Sequence, residues 1–146
     1  MQLPTDFRAF LRLLAEHGVE YLVVGGYAVS FHGYPRTTGD LDVWVHRAPA
    51  NARRLVEALG AFGFDVPELT PELFLEPDRI VRMGHPPLRI EVLTTIDGVD
   101  FETCYSTRRE ATLDGVLVSL IDLEGLKQNK RASGRTKDLN DLENLP

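Results

Sequence analysis

The sequence is poor in cysteine and lysine, and it contains no long apolar run. Cys104 is the single cysteine among 146 residues, which excludes an internal disulfide framework and a zinc site built on several thiolates. No apolar stretch approaches membrane-spanning length, and the first ten residues lack the basic-then-apolar order of a signal peptide. We therefore expect a cytoplasmic protein that does not associate with a membrane.

The overall composition is that of a globular protein. Apolar residues make up 43% of the chain and charged residues 26%, and 146 residues is an ordinary size for one domain. We therefore expect a single domain over residues 1–146. The net charge of −6 argues against a protein coated in basic surface that grips duplex DNA.

The three lysines lie in one short segment. Lys127, Lys130 and Lys137 share residues 126–137 with Arg131 and Arg135, and no acidic residue interrupts them. A basic segment on an otherwise acidic chain suits an anionic ligand such as a phosphate. A solvated helix face is the simpler interpretation of the same charges, and the composition alone leaves both open.

Apolar periodicity and turn residues predict helices mixed with strands. Helices are expected at 5–17, 27–32, 50–62, 101–109, 122–132 and 136–145, and strands at 21–24, 41–45, 79–83, 88–93 and 116–120. A turn at 84–87 joins the third and fourth strands into a pair. This pattern predicts an α+β (mixed α/β) domain with a mixed sheet.

Two aspartates on a predicted strand are the most informative residues. Asp40 and Asp42 are two positions apart, so their side chains project from one face while Leu41 and Val43 point into a core. Adjacent carboxylates repel each other, and magnesium, which prefers hard oxygen ligands, would relieve that repulsion. Taken alone, however, such a pair is more typical of a solvated strand face.

A third acid lies on a later strand. Glu91 alternates with Ile90 and Val92, so it faces away from the core. If this strand neighbours the one that carries Asp40 and Asp42, three carboxylates meet, and such a patch can hold two metal ions about 4 Å apart. Trp44 shares the face of the two aspartates, where packing is a more common role for tryptophan than stacking on a base.

Two motif blocks resemble the signature of the DNA polymerase β-type nucleotidyltransferase superfamily. They are Val24-Gly25-Gly26 and, after thirteen residues, Asp40-Leu41-Asp42. With Arg36 ahead of the aspartates and a basic segment over 127–141, the chain resembles the small bacterial AbiEii-like and related minimal nucleotidyltransferases. The resemblance implies a mixed sheet with helices packed on one face, and C-terminal helices. It also implies transfer of a nucleotidyl group from a nucleoside triphosphate to an acceptor hydroxyl.

The resemblance further implies roles for individual residues. Asp40, Asp42 and Glu91 would be catalytic and would bind two magnesium ions, or manganese in their place, although Glu91 stands where aspartate is usual. Gly25 and Gly26 would let backbone amides approach the triphosphate. The side chains expected to bind the nucleotide are Arg36, Lys127, Lys130, Arg131 and Lys137. Lys127 and Lys130 are the first choices. Arg36 could instead brace the loop to which it belongs.

Two classes of function are compatible with these residues. The first is a magnesium-dependent nucleotidyltransferase whose acceptor is a protein, an RNA end or a small molecule. A toxin–antitoxin system, with a toxin or antitoxin as partner, is a context that the residues leave open. The alternative is a catalytically inactive nucleotide-binding or antitoxin-like interaction module. The small size of the chain and the glutamate at position 91 support this alternative.

Overall fold

Helices and strands are interleaved along the chain in the computed structural model, which describes residues 1–146. The strands are β1 (Tyr21–Val24), β2 (Asp40–Val45), β3 (Ile80–His85), β4 (Leu88–Leu93), β5 (Arg109–Leu113) and β6 (Val116–Leu120). The helices are α1 (Thr5–Glu16), α2 (Gly25–Phe31), α3 (Pro49–Ala61), α4 (Phe101–Ser106), α5 (Leu123–Ser133) and α6 (Thr136–Asn144), with a 3-10 helix at Pro71–Leu75. No helix has both the length and the apolar character needed to cross a membrane.

The six strands form one mixed sheet in the order β3-β4-β2-β1-β6-β5. The pairs β2–β4 and β1–β6 are parallel, and the other three pairs are antiparallel. The predicted α+β class with a mixed sheet and closing C-terminal helices is therefore confirmed.

Each face of the sheet carries an apolar cluster. The larger cluster joins α1 and α3 to one face and includes the fully buried Phe10 and Leu59. The smaller cluster joins α2, α4 and α5 to the other face. Helices therefore lie on both faces of the sheet, whereas the resemblance implied helices on one face. Trp44 is 2% exposed in this smaller cluster, where its ring meets the edge of Phe101 at 5.1 Å between centroids. Its packing role is confirmed.

The main departure from the sequence prediction is a hairpin after α4. The helix expected over 101–109 ends at Ser106, and residues 109–113 form β5 against β6. The turn between these strands consists of Asp114 and Gly115, whose φ angles are 50° and 81°. Asp-Gly is a preferred pair for a two-residue hairpin turn, so a signal for β5 was present in the sequence.

The start of α2 also differs from the prediction. The helix was expected over residues 27–32, but α2 begins directly at Gly25. Strand β1 therefore passes into α2 without a loop. This abrupt change of direction places the backbone of Gly25 at the end of the sheet where β2 begins, because β1 and β2 are antiparallel.

Candidate functional site

The three predicted carboxylates lie on neighbouring strands. Parallel pairing of β2 with β4 places Asp42 opposite Glu91 and Asp40 opposite Arg89. Their side chains share the sheet face of Trp44, because residues two apart on a strand project to the same side. The expectation that the Glu91 strand neighbours the Asp40/Asp42 strand is confirmed. We refer to Asp40, Asp42 and Glu91 as the carboxylate patch.

The backbone of Gly25 passes directly against this patch. Gly25 has a φ of +66°, and a Cβ atom at this position would lie 2.1 Å from the Asp42 Oδ2 atom. At Gly26 a Cβ would lie 2.5 Å from the Thr38 Oγ1 atom. A Cβ at either position would require the neighbouring side chain to shift, and at Gly25 the left-handed backbone adds a second reason for glycine. The backbone of Gly25 therefore lies against the carboxylate of Asp42.

Asp42 occupies an unfavourable electrostatic position. Its Oδ1 atom is buried and has no hydrogen-bond partner. Burial, together with the neighbouring charges of Glu91 and Asp40, raises the pKa of Asp42 to about 7, while Lys137 acts to lower it. A buried carboxylate among like charges costs free energy unless a proton or a cation neutralises it.

Two arginines that the sequence analysis did not single out neutralise the other carboxylates. The Nε and Nη2 atoms of Arg89 each lie 3.3 Å from a carboxylate oxygen of Asp40. The Nε atom of Arg82 donates to Glu91 Oε1 at 3.1 Å. The signal for Arg89 was available, since it precedes Glu91 by two residues and so shares its face. Arg82 reaches the site through the hairpin register of β3 and β4, in which it pairs with Glu91.

The donor set of the patch suits a hard divalent cation. Three carboxylates supply the oxygen ligands that magnesium prefers, and the unpartnered Asp42 Oδ1 atom is available to it. In the arrangement seen, no three acidic, histidine or cysteine side chains converge closely enough to hold a metal ion. Asp40 and Glu91 face their arginines instead. Those ion pairs would open before all three carboxylates could share a cation.

Lys130 does not lie on an exposed face of α5, as its place in the basic segment predicted. Its side chain is 4% exposed, and its Nζ atom lies 3.1 Å from Asp138 Oδ1 and 3.0 Å from Asp141 Oδ2. Both aspartates belong to α6, which packs against α5. The expectation of a lysine free to contact phosphate is therefore corrected, because two buried carboxylates already hold this ammonium group.

Further charges extend this buried pairing into a network. Arg36 donates to both oxygens of Asp141, at 2.7 and 2.8 Å, and the Nε atom of Arg135 donates to Asp138 at 2.6 Å. We call these five side chains the α5–α6 ion network: Arg36, Lys130, Arg135, Asp138 and Asp141. It ties the loop ahead of β2 to the C-terminal helices. Of the two roles open to Arg36, phosphate contact and bracing of its loop, its bonds to Asp141 correspond to bracing.

In this network, the cations hold both buried aspartates in their ionised form. Burial acts to raise the pKa of Asp138, but hydrogen bonds from Arg135, Ser133 and Lys130 outweigh it and hold the pKa well below its usual range. Burial also acts to raise the pKa of Asp141, and its hydrogen bonds from Arg36 and Lys130 again lower it overall. Both aspartates are thus ionised and paired, in contrast to Asp42.

The other predicted basic residues differ in the groups on which their charges act. Lys127 donates from Nζ to the backbone oxygen of Pro146 at 2.9 Å, and Arg131 is exposed on α5. Lys137 is exposed at the start of α6 and is close enough to Asp42 to lower the pKa of that carboxyl. Of the three lysines, Lys137 is the one whose charge acts on Asp42, although the sequence pattern favoured Lys127 and Lys130.

A cavity of about 310 Å³ lies at the opposite end of β2 and does not include the carboxylates. Trp44, His46, Thr94 and Phe101 are among the residues that line it. The ring of His46 stacks on Phe101, and its Nδ1 atom lies 2.8 Å from Glu20 Oε1. The carboxylate patch therefore lies outside this cavity.

No family model and no curated protein sequence matches the chain. Its structure is similar to a solved structure from Thermotoga maritima, a protein whose designation as a nucleotidyltransferase is itself provisional. The two superpose with a TM-score of 0.59 at 16% sequence identity, over 94% of this chain and 88% of the other. At this identity the likeness establishes a shared fold.

Replacing Asp42 with asparagine should stabilise the protein at alkaline pH in the absence of divalent cations. The folded-state pKa of about 7 exceeds the ordinary value of 3.8, so the folded state binds more protons between these pH values. The free energy of unfolding therefore falls as pH rises through that window. We expect Asp42→Asn to raise it by on the order of 2 kcal/mol at pH 8 and to have little effect at pH 4.

Urea denaturation at both pH values measures this effect. Asp65→Asn is the control, because Asp65 is exposed and distant from the patch in sequence. Lower stability of Asp42→Asn than of wild type at pH 8 would contradict the electrostatic interpretation.

Alanine at Gly25 should be more damaging than alanine at Gly18. Both glycines have a φ of +66°, but a Cβ at Gly18 meets no atom within 4 Å. Gly18→Ala therefore measures backbone strain alone, about 1–2 kcal/mol. Gly25→Ala adds the collision with Asp42 and should lower the free energy of unfolding by about 1–3 kcal/mol more. Equal losses in the two variants would show that the Asp42 carboxylate moves aside without cost.

Removing the ammonium group of Lys130 should destabilise the protein strongly. Lys130→Met leaves Asp138 and Asp141 buried with one cation fewer, which typically costs about 3–5 kcal/mol. Lys127→Met, the same change on the same helix, should cost less than about 1 kcal/mol. Thermal or urea denaturation compares them, and similar losses would rule out a stabilising network around Lys130.

Proposed function

We propose that this protein is a metal-dependent nucleotidyltransferase that transfers a nucleotidyl group from a nucleoside triphosphate to an acceptor hydroxyl. One observation carries the proposal. Asp42, with an unpartnered buried oxygen, lies between the Gly25 backbone on one side and Glu91 of a parallel strand on the other. The fold shared with the Thermotoga maritima protein supports the same class.

In this proposal the two glycines and Lys137 bind the triphosphate. Without side chains, Gly25 and Gly26 let phosphate oxygens approach the backbone amides beside Asp42. Lys137 adds a mobile cation at the same end of the sheet and would offset charge on the leaving phosphates. Asp40, Asp42 and Glu91 would hold magnesium, which when bound neutralises charge on the phosphate oxygens and orients them.

The transfer exchanges one bond at phosphorus for another. The acceptor oxygen attacks the α-phosphorus, and the bond from this phosphorus to the bridging oxygen of the pyrophosphate breaks. Pyrophosphate leaves with the electron pair, and the hydroxyl proton passes to a carboxylate. Glu91 is the proposed recipient, since it belongs to the strand farther from the glycines. Attack and departure lie in line, so acceptor and pyrophosphate occupy opposite sides of the patch.

The α5–α6 ion network would act on this site through position. Arg36 leads into β2 and is anchored by Asp141, while Asp138 follows Lys137 directly in the sequence. Anchoring both segments to Lys130 sets where β2 begins and where Lys137 stands. Lys130 and Arg36 are therefore proposed as positioning residues and not as phosphate ligands.

A nucleotide-binding module without transfer activity is the second candidate function. The observation in its favour is that Asp40 and Glu91 are each already paired with an arginine. If those pairs persist when nucleotide binds, the patch cannot assemble around a cation. Such a protein would bind triphosphate without transferring any part of it.

Replacing Lys137 should weaken triphosphate binding. We expect Lys137→Ala to raise the dissociation constant about tenfold, because a charge-assisted contact to phosphate is lost. Lys127→Ala, which removes a lysine of the same segment that contacts Pro146, should change it by less than about twofold. Calorimetric titration with each of the four triphosphates in magnesium measures the binding.

Transfer of label from α-labelled triphosphate to protein, RNA or small molecules tests the reaction itself. Asp42→Ala should abolish transfer and the magnesium dependence of binding. If wild type binds no triphosphate and labels no acceptor, the proposed function is wrong. Binding by wild type without transfer would favour the nucleotide-binding module.

A further inference from the structure

The carboxylate patch has two different sides, and the order of the strands separates them. The Gly25–Gly26 backbone follows β1, which lies on one side of β2, and β4 and then β3 lie on the other. The following inference rests on the proposed function: if the triphosphate lies along the glycines, an in-line acceptor approaches from β4 and β3.

The β4–β3 side carries two arginines at an open edge. Arg89 of β4 and Arg82 of β3 share the face of Glu91, and their side chains are 34% and 56% exposed. Strand β3 pairs only with β4, so no further strand covers this side. An acceptor that reaches Glu91 from the edge would therefore pass these two guanidinium groups.

Both arginines keep hydrogen-bond donors that the carboxylates do not use. A guanidinium group has five N–H donors in a fixed plane. Arg82 uses its Nε atom toward Glu91, and Arg89 uses Nε and Nη2 toward Asp40. The remaining donors can receive oxyanions, and the planar group matches the spacing of two phosphate oxygens.

Neutralising the carboxylates is not the only role that fits these positions. A cation bound by Asp40 and Glu91 would take over that role, and both arginines would then lose their partners. In a protein of net charge −6 they would still form a cationic pair beside the acceptor's path. A second anion at this point would restore their pairing.

We propose that Arg82 and Arg89 bind a phosphate group of the acceptor, so that the acceptor is a phosphate-bearing hydroxyl compound. The phosphate can belong to the end of a polynucleotide or to a phosphorylated small molecule, which share this chemistry. A neutral hydroxyl on a protein side chain lacks the group that these arginines recognise.

Acceptor selectivity tests the proposal in three arms. Wild-type protein with α-labelled triphosphate and magnesium is offered a short single-stranded oligoribonucleotide, a nucleoside 5′-monophosphate, or the unphosphorylated nucleoside. We expect at least one phosphate-bearing acceptor to be used about tenfold more efficiently, by kcat/KM, than the nucleoside. Preference for the oligoribonucleotide identifies a polynucleotide end, and preference for the monophosphate identifies a small molecule.

Substitution of Arg82 gives the sharpest comparison, because Arg82 contacts Glu91 and not Asp40. Arg82→Gln should raise KM for the preferred acceptor about tenfold and lower its advantage over the nucleoside. Arg79→Gln is the matched control, since Arg79 immediately precedes β3 and pairs with Glu76. It should leave both values as in wild type. Arg89→Gln should act in the same direction as Arg82→Gln.

Direct binding separates failure of this inference from failure of the proposed function. Fluorescence titration measures oligoribonucleotide and monophosphate binding to protein saturated with magnesium and a non-hydrolysable triphosphate analogue. Binding that Arg82→Gln weakens and Arg79→Gln does not supports the inference, even without transfer. Equal use of the nucleoside, labelling of protein alone, no binding of either phosphate compound, or binding that Arg82→Gln leaves unchanged would each overturn it. Absence of binding to the triphosphate analogue itself would instead reject the proposed function.

Discussion

The parallel pairing of β2 with β4 is the constraint on which the site depends. Shifting that pairing by one residue would move Glu91 to the opposite face of the sheet, because side chains alternate along a strand. The register is held by apolar residues on the main core face, where Leu41 pairs with Ile90 and Val43 with Val92. Burial of those side chains therefore positions the carboxylates on the other face. The polar site is a consequence of apolar packing one residue away.

The charges of the chain are used in two contrasting ways. In the α5–α6 ion network, each buried aspartate has at least two cationic partners, and its pKa is held low despite burial. At the carboxylate patch, Asp42 is buried with no partner on one oxygen, and its pKa is raised. The first arrangement stabilises the fold. In the carboxylate patch, the ionised Asp42 destabilises the fold, and a cation bound there would offset its charge. Groups with such perturbed pKa values are common at functional sites.

Much of the site was readable from local patterns. Alternation along β2 and β4 placed Asp40, Asp42 and Glu91 on one face, and the glycine pair marked a place where the backbone makes a close approach. Arg89 was equally readable by the same alternation. The basic segment was not, because local spacing shows that Lys127, Lys130 and Arg131 share a stripe of α5 but not what that stripe meets. Lys130 instead forms ion pairs with two aspartates of α6, which lie eight and eleven residues further along the chain.

The sequence by itself determined the order of helices and strands apart from β5, the mixed sheet and the identity of the acidic residues that share a strand face. These properties follow from short-range periodicity and from turn residues, which act within a few positions. Only the tertiary structure decided which cations face the carboxylates. Arg82 comes to Glu91 through a hairpin, Lys130 is buried between two aspartates, and the charge of Lys137 lowers the pKa of Asp42. Such pairings depend on how distant elements pack, since a long basic side chain interacts with whichever acid the fold brings within reach.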